Sequence, residues 1–490
     1  MSKVKSQKSN IDESKHISPT IFYICNDFER ALGLELILPN FHIVCIDWNK
    51  GISEARKQGA NIFCLEESIN SLNPIFRNSN RLLQVKQVQE YIKLHTPQGT
   101  VPNVIFFKIA HNIEQTCKEL GYNILNTTAD LNQLFELKLS QFEVLNSINH
   151  QASSIKSIRF PKTTISPLKD INFEKTVKEI GIPFVIQYDR GHTGSSTVFV
   201  NNRNEFDAEL NKYPNRMAKF SKKIDGEAWT LNACVTRNGI VYGGLCYQIT
   251  GIKKCTTKLG GTVGNDWSVT NLLSKKSIEQ IVIITKNSGD IMSAHGYKGL
   301  FGLDLVIDKD GEVYLIEINA RQPASTGMHT KLLLQDNEIP LELLHIAEFL
   351  FPEDKDYISF INKTLGTAYT ISNLKDALER QNKQELLPKD AAQVIIRNTS
   401  DIDINAKLTV ETGIYTYKDS MLQIVREGFS ISDIEATDEF LILASETGRI
   451  ISPEAEVARL QMKKSAMILS DKTLVPNPEI IKIIEAIKND

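Results

Sequence analysis

The chain has 490 residues, 41% of them hydrophobic and 23% charged, and its 59 acidic and 56 basic residues leave a net charge of −3. That length exceeds one ordinary core and predicts about three domains of a soluble globular protein. Charge is spread without a long basic block, so nucleic acid is not an expected partner, and no apolar stretch approaches the roughly 18 residues of a membrane span. Seven cysteines, at positions 25, 45, 64, 117, 234, 246 and 255, fall without a C-x-x-C pair. This argues for reduced thiols in a cytoplasmic protein, neither a disulfide frame nor a zinc site. His192 sits in a glycine-containing loop, and the other histidines are scattered without ligand spacing and read as structural.

Residues 1–18 are polar, lack the apolar core of a signal peptide and are expected to be a disordered lead. Thr20 to Asn26, His42 to Trp48, Asn61 to Leu65 and Val104 to Lys108 read as short strands between helical stretches, which predicts a parallel α/β domain over 19–125. No G-x-G-x-x-G follows the first strand, so dinucleotide binding loses its main support. Over 129–149, Leu131, Leu134, Phe135, Leu139, Phe142 and Leu145 recur at helical spacing with Lys138 among them. A short helix over 172–180 and a strand Pro183 to Tyr188 lead into Arg190 to Thr197 (RGHTGSST), a flap followed by a strand Val198 to Val200. Arg216 to Ile224, Glu227 to Thr236 and Gly239 to Thr250 read as antiparallel strands, the last two joined at Asn238-Gly239. A helix over 274–295, a hairpin and a helix over 340–350 follow, with a boundary at Pro352 to Asp354. Beyond it, Gln393 to Arg397, Gly413 to Tyr417 and Glu439 to Leu443 read as strands, and 478–488 as a final helix.

The hairpin, Phe301 to Arg321, carries the chemistry. Asp310-Gly311 between apolar runs is a strong turn signal. A two-residue loop there pairs Lys309 with Glu312, Asp308 with Val313, Leu305 with Ile316, and Asp304 with Glu317. Like charges directly opposite destabilise a sheet, so two facing carboxylates call for a cation. Strand alternation adds Asn319 and Arg321 to the face of Glu317 and turns Tyr314, Ile316 and Ile318 away. Asp304, Glu317 and Asn319 are oxygen donors of the kind Mg²⁺ takes together with nucleotide phosphates. Arg321 suits a developing negative charge on a phosphoryl or acyl oxygen.

The flap offers backbone N–H groups and hydroxyls that could wrap phosphate oxygens, but it lacks the Lys-Ser/Thr ending and following helix of a P-loop. The order of parts is a small α/β domain, a helix with Lys138, a strand with a glycine flap, antiparallel strands ending at Ile224-Asp225-Gly226-Glu227, and a D…E-x-N-x-R hairpin. That order resembles the ATP-grasp superfamily over roughly residues 20–350, among its carboxylate-amine and carboxylate-thiol ligases with biotin-carboxylase-like and amino-acid-ligase-like relatives. The resemblance implies a mixed α/β and α+β fold. Its parts would be an N-terminal parallel α/β domain over 19–125, a two-lobed core over 126–352 with a flap lobe at about 160–225, and a C-terminal α+β domain over 353–490. It implies ATP and Mg²⁺, or Mn²⁺ in its place, as cofactors. It makes Asp304, Glu317 and Asn319 metal ligands and Arg321 the catalytic stabiliser. Gly191, Thr193, Gly194, Ser195 and Ser196 would close over the β- and γ-phosphates, Lys138 would approach them from its helix, and Lys222, Lys223 and Ile224 would form the hinge against adenine. Two departures stand out: Gln187 occupies a position where the family usually carries Lys, and Phe220 to Lys223 lack the frequent acidic hinge residue.

The leading expectation is an ADP-forming ligase that phosphorylates a carboxylate and joins it to an amine, such as an amino acid, peptide or similar metabolite. The alternatives are a biotin-carboxylase-like or carbamoyl-phosphate-like enzyme that activates bicarbonate, and a nucleotide-sensing module with weakened catalysis, which Gln187 keeps open. Small molecules are the expected partners, with a homodimer as the candidate assembly and no membrane. Lys253 to Asp266 is expected to be a cationic, glycine-hinged lid, and Gln322 to Gly327 to add hydroxyls near the reacting carboxylate. Arg459 to Lys463 resembles, distantly, the C-terminal domain of the same relatives.

Overall fold

In the computed structural model the described residues are 19–151, 158–189, 197–258, 260–408 and 410–489, with side chains omitted at 148–151 and 489. The expected disordered lead lies outside them. Five short apolar runs, β1 (Ile21–Ile24), β2 (Phe41–Cys45), β3 (Asn61–Cys64), β4 (Asn103–Phe106) and β5 (Asn123–Ile124), form a parallel sheet in the order β3-β2-β1-β4-β5. Tyr23, Ile43 and Ile105 enter one core while Phe22, Val44 and Val104 enter another, so both faces are covered and the strands need no polar alternation. Strand order reverses between β1 and β4, whose carboxyl ends carry Asp27 and Phe107-Lys108. Such a switch point opens a crevice for ligands.

The second sheet is antiparallel, with β6 (Thr163–Pro167), β7 (Phe184–Gln187), β8 (Thr197–Val200) and β9 (Met217–Lys222) in the order β6-β9-β7-β8. Phe184, Ile186, Ala218 and Phe220 pack with Phe206 from the helix Arg203–Lys212 and Phe173 from the helix Phe173–Ile180. By alternation, Gln187, Lys219 and Ser221 belong to the opposite face, and Gln187 stands directly across from Lys219.

The third sheet has ten strands. In chain order β10 (Gly226–Thr236), β11 (Gly239–Thr250), β12 (Thr262–Asp266), β13 (Gly299–Asp308), β14 (Val313–Asn319) and β15 (Ala392–Arg397) precede the small strand β16 (Ile404–Asn405). Then come β17 (Gly413–Lys418), β18 (Met421–Arg426), β19 (Phe440–Ala444), β20 (Ile450–Ile451), β21 (Glu456–Met462), β22 (Met467–Ser470) and β23 (Thr473–Pro476). The sheet order is β14-β13-β10-β11-β12-β15-β21-β19-β17-β18, while β16 pairs with β20 and β22 with β23. Residues past 352 therefore continue the sheet of the central region, with Val394 of β15 paired to Gly264 of β12. They also dock on the first sheet, where Arg449 lies 3.1 Å from Asp47 and 2.7 Å from Glu66.

Three local expectations change. The helical run over 129–149 is two helices, Ala129–Glu136 and Lys138–Gln151, because Leu137 is extended at φ −75° and ψ 131°. Lys138 thus opens a helix instead of sitting within one. The expected lid over 253–266 is in part a buried central strand, since Thr262–Asp266 is β12 and Asp266 accepts backbone N–H bonds from Ala466 at 2.8 Å and Met467 at 3.0 Å. Tyr314 and Ile316, expected opposite Glu317, lie on its side of the hairpin, because the loop is longer than two residues and a β-bulge follows it.

His345, on the helix Leu341–Leu350, joins two of these units. Its Nδ1 accepts the Leu300 N–H at 3.0 Å and its Nε2–H donates to the Leu125 carbonyl at 2.7 Å. Gly299, at φ +92°, leaves the space for that ring, since an added Cβ would stand 2.2 Å from Nδ1. Gly299→Ala is expected to cost on the order of 4 kcal/mol in urea unfolding, combining left-handed strain with overpacking. Burial pulls the His345 imidazole down to about 4. The unfolded chain, with an ordinary histidine near 6.5, takes up a proton first as pH falls. This contribution to stability is therefore complete above about 6.5, is lost as pH drops toward about 4, and is on the order of 3 kcal/mol. Urea titrations at pH 7.5, 6 and 5 should show that slope, shallower in His345→Gln.

Candidate active site

The site forms where the outer hairpin of the third sheet meets the opposite face of the second. Ile307 pairs with Val313, Val306 with Tyr314 and Leu305 with Leu315 before the bulge at Ile316 shifts the register by one. That shift places Asp304 against Glu317, Leu303 against Ile318 and Gly302 against Asn319. The expected carboxylate pair is therefore present, reached through a turn and a bulge whose register changes cancel. Val313, Leu315 and Ile318 are buried in the core, which leaves Asp304, Glu317 and Asn319 on the partly open side.

Asn319 donates from Nδ2 to Asp304 Oδ2 at 3.2 Å, and Lys138 forms an ion pair with Glu317 Oε2. Lys138 is placed by its helix start, where the Leu139 N–H donates to Asp189 Oδ1 at 2.9 Å. Gln141, one turn on, locks that helix to β14: its Oε1 accepts the Ile318 N–H at 2.6 Å and its Nε2 donates to the Ile318 carbonyl at 3.3 Å. The two carboxyls are driven apart. Burial, and then the charge of Glu317, push Asp304 up to about 6. Burial would raise Glu317 as well, but Lys138 beside it, with help from Arg321 and Lys219, holds it below the ordinary range. Opposed shifts in adjacent buried groups occur at functional sites and in structural ion-pair networks alike.

Arg321 Nε lies 2.9 Å from Glu136 Oε1, which also stands 3.1 Å from Lys108 Nζ. The Arg321 guanidinium sits 5.2 Å from the centre of the Phe107 ring, and Arg30 lies 4.4 Å from that centre. Arg321 is thus aimed from the hairpin toward the switch-point crevice of the first sheet. Sequence reasoning missed Glu136, Gln141, Asp189 and Lys219, whose roles follow from contacts made across distant elements. Asp189, for example, caps the helix that starts at Lys138 by accepting the Leu139 N–H from a position 50 residues further along the chain.

Lys222 ends β9, Lys223 follows, and both are exposed, with Ile224 half-buried before β10 begins at Gly226. These residues bridge the second and third sheets. Ser221 is buried, and its hydroxyl lies 3.0 Å from that of Thr163. Gln187 is buried at the end of β7. The flap residues Gly191, Thr193, Gly194, Ser195 and Ser196 lie outside the described residues. Gln322, Ser325 and Thr326 are buried behind Arg321. Ser325 donates to Asn232 Oδ1 at 3.0 Å, and Tyr23 donates to Gln322. The Ser325 hydroxyl is thus taken up within the core, while the buried Thr326 hydroxyl has no hydrogen-bond partner among the described residues.

Among the described residues no three His, Cys, Asp or Glu side chains cluster as a metal site, and no helix is long and apolar enough to cross a membrane. Two carboxylates and one amide are still a set of hard oxygen donors, and Glu317 among them is ion-paired to the Lys138 ammonium.

Residues 155–325 match the family model of an ATP-grasp domain. No curated protein matches the chain in sequence. Among solved structures, the chain is similar to the biotin carboxylase domain of Hydrogenobacter thermophilus 2-oxoglutarate carboxylase, solved with MgADP, ADP and bicarbonate, at 12% identity and a TM-score of 0.53 over 90% of this chain and 85% of that one. It is similar to an L-amino acid ligase from Bacillus licheniformis at 12% identity and a TM-score of 0.52 over 96% and 97%. An ADP complex of N5-carboxyaminoimidazole ribonucleotide synthetase gives 12% identity and a TM-score of 0.51 over the same shares, 96% and 97%. Residues 155–325 thus match an ATP-grasp domain, and the chain as a whole shares the fold of these solved structures.

Proposed function

We propose that this protein is an ATP- and Mg²⁺-dependent, ADP-forming ligase that activates a carboxylate as an acyl phosphate and joins it to an amine. The observation that carries this reading is the oxygen set of Asp304, Glu317 and Asn319 beside Lys138, with Arg321 turned toward the adjoining crevice. Asp304, Glu317 and Asn319 would hold Mg²⁺, which when bound supplies charge neutralisation on the nucleotide phosphates. Lys138 would exchange Glu317 for a phosphate oxygen, and the hinge Lys222, Lys223 and Ile224 would lie against adenine. A substrate carboxylate oxygen attacks the γ-phosphorus, ADP departs, and an amine then attacks the acyl carbon and displaces phosphate. Arg321 would stabilise negative charge on the reacting carboxylate and on the tetrahedral adduct. Buried, unbridged cysteines support a reducing compartment, which we take to be the cytoplasm.

The test is incubation with ATP, Mg²⁺ and pooled carboxylates and amines, with mass spectrometric identification of the product whose appearance tracks ADP. Release of ADP with bicarbonate alone would instead support a bicarbonate-activating enzyme. Tight nucleotide binding without ADP formation across the panel would reduce the protein to a binding module.

A further inference from the structure

A buried ammonium that forms no ion pair with a carboxylate among the described residues stands in this site. Lys219 is 5% exposed, and among the described residues its one hydrogen bond runs from Nζ to the Ile316 carbonyl at 3.3 Å, with the Phe142 ring centre 5.8 Å away. The contrast with Lys138, ion-paired to Glu317, is direct. Keeping a lysine charged away from water is costly unless an anion meets it, and its alkyl stem would be better replaced by a hydrocarbon if packing were its task. Burial and the nearby charge of Lys138 indeed draw it down to about 8, against the pull of Glu317.

Its position says which anion. Alternation along β9 sends Ala218 and Phe220 into the core of the second sheet and Lys219 to the face that meets the hairpin. Its hydrogen-bond acceptor is the bulged residue next to Glu317, and its cross-strand neighbour is Gln187, the end of the strand that leads to the flap. Gln187 is neutral, so the second sheet presents one ammonium on this pair of positions, and it comes from β9.

Resting on the nucleotide-binding reading above, we infer that Lys219 binds a phosphate oxygen of the nucleotide and supplies from β9 the charge that Gln187 does not supply from β7. Gln187 and Lys219 then form one cross-strand pair whose charge comes from β9, and the neutrality of Gln187 is no sign of weakened nucleotide binding.

Calorimetric titration with MgADP tests this without any knowledge of the substrates. Lys219→Met is expected to weaken MgADP binding by about 10- to 100-fold, the range for a lost charge-assisted hydrogen bond. Its unfolding midpoint should be unchanged or raised, because an unpaired buried charge is removed. Moving the charge back, in Gln187→Lys combined with Lys219→Met, is expected to restore the affinity to within about threefold of wild type, which a merely structural lysine would not allow. Lys219→Gln serves as a second single variant should Lys219→Met misfold. Wild-type affinity in the folded single variants would overturn the inference, as would failure of the double variant to recover while circular dichroism shows it folded. Absence of MgADP binding by the wild-type protein would instead overturn the proposed function, and this inference with it.

Discussion

Glu317→Gln is expected to abolish ADP formation, with a fall of at least about 10³-fold, while the far-ultraviolet circular dichroism spectrum stays that of the wild type. Glu317 contributes two things that its amide cannot. It is the more acidic of the two facing carboxyls, held ionised by Lys138, Arg321 and Lys219, while Asp304 is pushed up to about 6. On the proposed reading it is therefore the carboxylate ready to bind Mg²⁺ before the metal arrives. On the same reading it also parks Lys138 beside the phosphate position. Substitution removes the repulsion across the Asp304–Glu317 pair, which offsets part of the lost ion pair and favours a folded variant. Full turnover in that variant, with substrates found in the panel above, would remove the metal site from the hairpin.

The sequence made this hairpin legible because its signal is local. Glu317 and Asn319 interrupt an apolar run, and a polar pair in a strand has few explanations. Even so, the expected pairing was right at Asp304 and Glu317 for an incomplete reason. Neither the longer loop nor the bulge at Ile316 has a sequence mark such as a misplaced glycine, and their effects on register cancel. The parallel sheet was legible in four of its strands from apolar runs, while β5 has only Asn123 and Ile124 and carries no periodicity to read. Helix periodicity could not show the break at Leu137, because a leucine suits either a helix or an extended joint. The least legible feature was the continuity of the third sheet. The β12–β15 junction joins residues 264–266 to 392–394, a pairing of distant segments that hydrophobic pattern alone does not encode. Lys219 escaped for the same reason, since what distinguishes it from other strand lysines is its neighbour across β7 and the hairpin beyond.

Arg321→Met is the second decisive variant, and its effect should fall on chemistry instead of nucleotide binding. Methionine keeps contact with the Phe107 ring, and Glu136 keeps Lys108 at 3.1 Å, so no buried carboxylate is left without a cation. The fold should therefore tolerate the change. On the proposed mechanism the guanidinium meets negative charge that grows as the acyl phosphate forms and as the amine adds to it. Losing one such donor typically costs about 10² to 10³ in kcat, or about 2.7–4 kcal/mol of barrier. MgADP affinity should stay within about threefold of wild type, because Arg321 faces the first-sheet crevice and not the second sheet, where Gln187 and Lys219 stand. Arg321→Lys should recover little, since a point charge cannot reproduce a planar fork stacked on an aromatic ring. If Arg321→Met lowers MgADP affinity and kcat together by the same factor, the guanidinium is a nucleotide contact and the acyl-transfer side of the site lies elsewhere. A kcat loss at constant nucleotide affinity would tie the crevice between β1 and β4 to the reacting carboxylate, because the Phe107 ring that Arg321 covers lies just past the carboxyl end of β4.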